Sequence, residues 1–535
     1  MTWTMKSMTF AVALALGGAA FAANVPNGVQ LHPTQELTRT NGSEPETLDP
    51  ANVETVPGAN IAIDLFEGLT AINASGKVVP GVAESWKRVD DTTWTFKIRK
   101  DAKFSNGQAI TADDFVYAFR RFIDPKQASN YSTAFGVFFV NGKEAAEGKM
   151  PTDKLGVRAI DKNTFEVKTN GPVAFLPELL ANPNFAPVHR ATVEKFGKDW
   201  VKPGNMVGNG AYILKEWKVN SKLVAEKNPN YWNAKNVQIT KVSYLPIESQ
   251  DAAQKLYLSG EADWTLEITP NSFAKLKTDF PKELRNSLGL GLRYYSLNNT
   301  DPLLKDVRVR KALNLVLDRD LLANKVTADG QPAAYSVMVN GVAGAKAVPY
   351  DWVKWPMAKR VEEAKKLMAE AGVKPGTKLS FVYNTNEYHK KMAIWAASEW
   401  KSKLGLDTQL ENLEFKVLVK KRHDADYQIA RNGWSADYND ATSFTTLIEC
   451  GSDQNDNKNC NQKAQELFKQ AATTTDMAKR SQLLTEGTRM VMDDYPIIPL
   501  LQYTYPRLVK AYVGGYDEKN VTERRRTQDH YIIKH

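Results

Sequence analysis

Strands and helices alternate along this chain from end to end, with no low-complexity linker between them and no repeat of fixed period. That alternation constrains the fold more than any other feature. Thr93-Trp94-Thr95-Phe96-Lys97-Ile98 and Thr164-Phe165-Glu166-Val167-Lys168 place large apolar residues at every second position, as strands with one buried face do. Thr111-Ala112-Asp113-Asp114 caps a helix that runs through Phe115, Phe119 and Phe122 and stops before Pro125. Further strands are expected over 35–40, 212–217, 223–227 and 242–246, with short helices over 61–68, 174–180 and 251–259. The later third is more helical. Helices are expected from Asp306, over 358–371 with Gly372 as the stop signal, and over 391–404, 464–473 and 480–492. Strands are expected there at 379–383, 410–414, 497–501 and 508–510. A chain of 535 residues has room for two or three cores. Alternation without linkers implies an α/β fold whose lobes the chain crosses more than once.

The first residues carry an address. Lys6 is followed by an Ala-rich apolar run from Met8 to Ala20, and Ala20-Phe21-Ala22 is a small-x-small cleavage pattern. Residues 1–22 therefore read as a secretory signal peptide cut near Ala22, too short to span a bilayer as a mature helix. No Cys stands at the cut to take a lipid. The expected location is the periplasm. Cys450 and Cys460 fit that oxidising address and bracket a polar loop, so a local disulfide is expected between them. The net charge of +9 is dispersed. Its densest runs, Lys420-Lys421-Arg422 and Arg524-Arg525-Arg526, lack interleaved aromatics, so they read as solvated surface charge and no nucleic-acid partner is expected.

No catalytic constellation emerges. Six His, at 32, 189, 389, 423, 530 and 535, form no zinc-binding helix pattern. There is no Gly-x-Ser-x-Gly elbow, phosphate loop or dinucleotide fingerprint. Asp113-Asp114 sits at a helix start, where capping accounts for it. No metal or cofactor is expected. The stretch from Arg431 to Asp440 holds a different kind of chemistry. It follows the alternating Tyr427-Gln428-Ile429-Ala430, breaks at Gly433-Trp434, and delivers Asp437 onto a loop. Asp437 suits an amine and Arg431 a carboxylate. The residues alone leave open a plainer reading, a capped turn after a core strand.

Several stretches together resemble one family. They are Pro80-Gly81-Val82-Ala83-Glu84-Ser85-Trp86, the run from Trp94 to Gly107, Thr111 to Tyr117, Asp64 to Leu69, Asn209-Gly210-Ala211-Tyr212 and Asp306 to Leu313. With the Arg431–Asp440 stretch and the tail Tyr531-Ile532-Ile533-Lys534-His535, they resemble the family 5 extracellular solute-binding proteins, the peptide and nickel receptors of ABC importers. The resemblance implies an α/β, three-lobed periplasmic binding protein, with two main lobes joined by a hinge and a small inserted lobe. It places lobe I at 23–66, 191–289 and 505–535, lobe II at 67–190 and lobe III at 290–504.

The resemblance also implies roles. Asp437 matches the acid that binds a peptide's α-amine. Trp434, Tyr131 and Phe415 match residues lining the cleft, Phe415 standing where a Trp is usual. Glu54 matches an acidic cleft position. Arg431, Arg422, Lys325 and His389 match basic positions that meet carboxylates at different depths. Ser435 stands where peptide receptors of the family carry a Cys, and Gly291 where its partner would be. The function implied is a monomeric receptor that binds short peptides in extended form, by backbone and terminal-charge contacts, and delivers them to an inner-membrane ABC importer. A murein-tripeptide or haem/dipeptide receptor is the alternative within the family. A secreted peptide or sugar hydrolase is the alternative outside it.

Overall fold

The computed structural model describes residue 23 and residues 25–535, apart from 130, 270, 414, 437, 453 and 475, and omits the side chains of 387, 415 and 416. The signal-peptide reading and Asp437 therefore lie outside the described residues, as does the Phe415 side chain.

Period-two alternation builds the first sheet. Its antiparallel order is Ala83–Arg88, Thr93–Ile98, Thr164–Lys168, Val157–Asp161. Trp94, Phe96 and Ile98 turn inward and are buried. The helix Ala112–Ile123 lies against them through Phe115, Phe119 and Phe122, and Thr111 and Asp114 close its capping box. Phe119 meets Phe165 edge-on at 5.2 Å between ring centres. Each such buried ring stabilises by about 2–3 kcal/mol.

A second sheet joins distant parts of the chain. Glu36–Thr40 pairs in parallel with Lys241–Leu245, which continues antiparallel to Lys222–Lys227 and Tyr212–Lys218. Its core takes Leu37, Val242, Tyr244 and Trp264 together with Val509, Val513 and Ile532 from the C-terminal tail. The basic run Arg524-Arg525-Arg526 is not solvated surface charge. Arg525 and Arg526 are 2% and 5% exposed. Arg526 pairs with Glu67 and Asp529, and Arg525 with Glu523. Buried charges persist because each is partnered, which a one-dimensional charge run does not reveal.

The third sheet is mixed, in the order Asp407–Leu413, Lys378–Asn384, Ile429–Ser435, Leu284–Leu297, Ile497–Leu508. Its last two strands are the longest of the described residues and run antiparallel, with a register shift between Leu288 and Leu292. Their outer ends, Leu284 and Leu508, pack with Tyr257, Ile268 and Leu276. Their inner ends, from Leu290 to Leu297 and from Ile497 to Leu501, enter the large core beneath this sheet. The pair thus runs from one core to the next. Positions 497–501 and 508–510, expected as two strands, belong mostly to one.

Candidate functional site

The strand Ile429–Ser435 sits in the middle of the third sheet, parallel to Lys378–Asn384 and antiparallel to Leu284–Leu297. It does not break at Gly433-Trp434 as its sequence implied. Pairing continues through Ser435, and Ala436 still donates its N–H to the Leu290 carbonyl at 2.8 Å. Glycine at 433 leaves room there, since a Cβ would press on the Tyr503 hydroxyl. Gly291 is opposite Ser435 in the register, and a Cβ on it would overlap the Tyr503 ring. The two positions singled out for a missing disulfide are therefore neighbours, and Tyr503 lies across the gap.

Asp437 lies outside the described residues, but the chain on either side of it is anchored. Asn439 accepts the Ala343 N–H at 2.9 Å. Asp440 is fully paired with Arg480, at 2.7 and 2.8 Å. Tyr438 stacks on Phe175 of the first unit at 4.2 Å and meets Phe138 edge-on. The chain flanking Asp437 thus bridges the third sheet to the first.

Arg431 projects beside Tyr295 and makes no hydrogen bond or ion pair among the described residues. Burial lowers its pKa to about 10, with the Arg293 and Arg422 charges adding to the effect and Tyr503 opposing it. His389 opens the helix Glu387–Leu404 and is 9% exposed. Burial and the charges of Arg431 and Arg293 push its pKa down to about 3. It is therefore a neutral imidazole in the ligand-free protein, and its buried Nδ1 has no partner among the described residues. The structure brings Arg431 and His389 together. Lys325 stands exposed in the 322–327 turn, which packs on the same helix.

Arg422 is differently placed. It hydrogen-bonds Asn432 and lies 3.6 Å from Asp456, which also accepts from Asn432 at 2.9 Å. Its charge already has a partner, so it acts on Arg431 through its field. Trp434 is half-buried and donates its indole N–H to Ser443 at 3.4 Å. Tyr131 stacks on Phe135 at 4.9 Å in the first unit, and its field reaches Arg524. Glu54 is exposed just ahead of the helix Val56–Leu65.

Sequence reasoning missed Arg293 and Tyr503, whose charges act on Arg431, and Gln331, Asp329 and Tyr388, which are linked to Arg293. Arg293 lies between the rings of Tyr388 and Tyr503, 4.5 and 4.4 Å from their centres. Its Nε donates to Gln331 at 2.9 Å, and Asp329 accepts from both Gln331 and Tyr388. The only available signal was the clustering of Tyr503 and Tyr505 after a strand, which does not point to a cation.

Cys450 and Cys460 form the expected disulfide, with Cα atoms 4.8 Å apart. The loop they close is not a solvated one. Asn455, Asp456 and Asn457 are buried. Asp456 faces Arg422 and His423, and its carbonyl accepts from Tyr427 at 2.8 Å. Among the described residues, no group of three or more His, Cys, Asp or Glu could hold a metal ion.

An anchored loop between two α/β units, with a largely buried guanidinium on the adjoining strand that has no partner among the described residues, is the geometry of a binding protein and not of a catalyst. The chain belongs to the bacterial extracellular solute-binding proteins, family 5, whose profile matches residues 77–456. It is 44% identical over 528 residues to the periplasmic oligopeptide-binding protein OppA of Escherichia coli K12, covering 98% of this chain and 97% of that one. It is 37% identical over 519 residues to the periplasmic murein peptide-binding protein MppA of the same organism, covering 96% of each. Among solved structures, the unliganded open form of the murein tripeptide-binding protein MppA superposes with a TM-score of 0.91 at 37% identity, covering 95% of this chain and 99% of that one. A second structure of MppA from Escherichia coli, also at 37% identity, gives 0.72 over 94% and 100%.

Proposed function

We propose that this chain is a periplasmic receptor that binds short peptides in extended form between its lobes and delivers them to an ABC importer. It acts by binding, as a monomer, and carries out no reaction. The observation that carries the reading is Arg431, a largely buried guanidinium that has no partner among the described residues. Leaving such a charge unpaired is costly, and a ligand carboxylate would relieve the cost. Similarity to OppA over 98% of this chain, at 44% identity, supports oligopeptides as the ligand class. The high structural similarity to the murein tripeptide receptor does not outweigh the greater identity to OppA.

In this reading residues 1–22 are removed near Ala22. Lobe I comprises 23–66, 191–289 and 505–535, lobe II 67–190 and lobe III 290–504. Asp437 takes the peptide amine by a charge-assisted bond. Arg431, with His389, Lys325 and Arg422 at other depths, takes the carboxylate, and Glu54 lies at the acidic side of the cleft. Trp434, Tyr131 and Phe415 line it. Main-chain hydrogen bonds supply affinity without reading side chains. The test is incubation of the purified protein with a mixture of tri- to pentapeptides, followed by mass spectrometry of what remains bound. Intact peptides are expected. Cleavage products would overturn the reading in favour of a hydrolase.

A further inference from the structure

One guanidinium beside this carboxylate position has no role in the reading above. Arg293 comes from the strand Leu284–Leu297, opposite Gly433. Tyr388 and Tyr503 clamp it from two sides, and Gln331 holds its Nε. Its two terminal nitrogens make no hydrogen bond among the described residues, and it has no ion pair there. We propose that Arg293 is a specificity-determining residue. Clamped beside Arg431 and His389, it makes this part of the cleft select a ligand carboxylate over a neutral or cationic group. The inference rests on the reading of the cleft as a peptide site.

The site is built for a rigid cation. Gly291 and Gly433 leave the space that the Tyr503 side chain fills. Gln331 is tied in turn to Asp329 at 2.6 Å, and Asp329 to Tyr388 at 2.8 Å. A ring-stacked guanidinium keeps its plane, so little rotamer freedom is lost when it meets a carboxylate. Among the described residues, the acid tied into this cluster is Asp329. It reaches Arg293 through Gln331 and makes no direct pair with it.

Packing alone does not account for the arrangement. Arg293 raises the cost of charge on both Arg431 and His389. Two guanidiniums without an ion pair and the buried Nδ1 of His389 thus converge, and among the described residues the Arg431 guanidinium, the terminal nitrogens of Arg293 and this Nδ1 have no hydrogen-bond partner. An ionised carboxylate is an acceptor only, with about four lone-pair sites, and it satisfies such a set. A ligand amine would meet the same cluster with repulsion. The carboxylate can come from the peptide's C-terminus or from an acidic side chain.

Calorimetry on the full mature protein separates these sources. One arm compares trialanine with trialanine amide. The other compares Ala-Glu-Ala amide with Ala-Gln-Ala amide. In the native protein the carboxylate member of at least one arm is expected to bind about tenfold or more tightly than its partner. Arg293→Gln is expected to reduce that preference at least about tenfold while the amide probes keep their affinity. Arg293→Lys, which keeps the charge without the planar fork, is expected to fall between the two. In the native protein the acid probe, unlike its amide, raises the His389 pKa from its low value, read by NMR. Equal loss for acid and amide probes in Arg293→Gln would make Arg293 a packing residue and overturn the proposal. So would an unchanged preference in both arms. Failure of the native protein to bind any of these peptides would instead overturn the receptor reading, and this inference with it.

Discussion

Arg431, the proposed carboxylate partner, is a charge held at the expense of stability. Its pKa is lowered to about 10 because burial and two neighbouring arginines penalise the charge. At neutral pH the group stays charged in both the folded and the unfolded chain. A depressed folded pKa in a base therefore means that the folded state carries the penalty throughout that range. Replacing Arg431 by Met removes it. Arg431→Met is expected to raise the free energy of unfolding of the ligand-free protein by about 1–2 kcal/mol, after discounting for partial solvent screening. Peptide affinity should fall at the same time. Urea denaturation checks the first effect, and a lower stability in the variant would show that Arg431 has an internal partner. Arg431 and Trp434 were legible in the sequence because they stand in one short stretch beside Asp437. His389 was singled out in the sequence as a candidate, but not as a neutral group. Its low pKa comes from burial and from Arg293, which is 96 positions away in the chain and close only after folding.

At the scale of elements, regular patterns were read well and interrupted ones were not. The helix Ala112–Ile123 and the strand Thr93–Ile98 stand where their capping and alternation put them. The strand Leu284–Leu297, central to the site, was not expected at all. Its Leu288-Gly289-Leu290-Gly291-Leu292 run looks like a breaker, because glycine usually weakens a strand interior. Here the glycines make room for Tyr505 and Tyr503 from the neighbouring strand, a reason that only the sheet supplies. The Cys450–Cys460 loop is a second case. Its composition is that of a surface loop, yet it carries Asp456 under the strand Ile429–Ser435, against Arg422 and Asn432. The disulfide therefore supports the strand that bears Arg431. Replacing both Cys450 and Cys460 with Ser is expected to lower unfolding free energy by up to roughly 3 kcal/mol, as for closing a short loop. Urea midpoints of the oxidised native protein and the variant measure this. Equal midpoints would show that the loop keeps its place without the bond.

The whole molecule is a set of α/β units joined by long strands and held apart. Composition and the absence of linkers implied shared lobes, and the second sheet realises this by joining the N-terminal strand, the middle of the chain and the C-terminal tail in one core. The arrangement of the units was not legible, because it depends on contacts between segments hundreds of residues apart. Tyr438 stacks on Phe175 beside the Asp437 position. Close by, Glu178 has its pKa raised to about 7 by burial, with Asp440 adding to the shift and Arg524 opposing it. Charges from the second unit and the third sheet thus meet around one carboxyl on the first. That junction joins the first sheet to the chain on either side of Asp437. The central claim is that a peptide is held there by its terminal charges. Calorimetry of a free-amine tetrapeptide with native protein and with Asp437→Ala tests it most directly. The account predicts a loss of at least about 2 kcal/mol in the variant, roughly thirtyfold in Kd, as for one member of a desolvated charge pair. Unchanged affinity in a folded Asp437→Ala protein would contradict it.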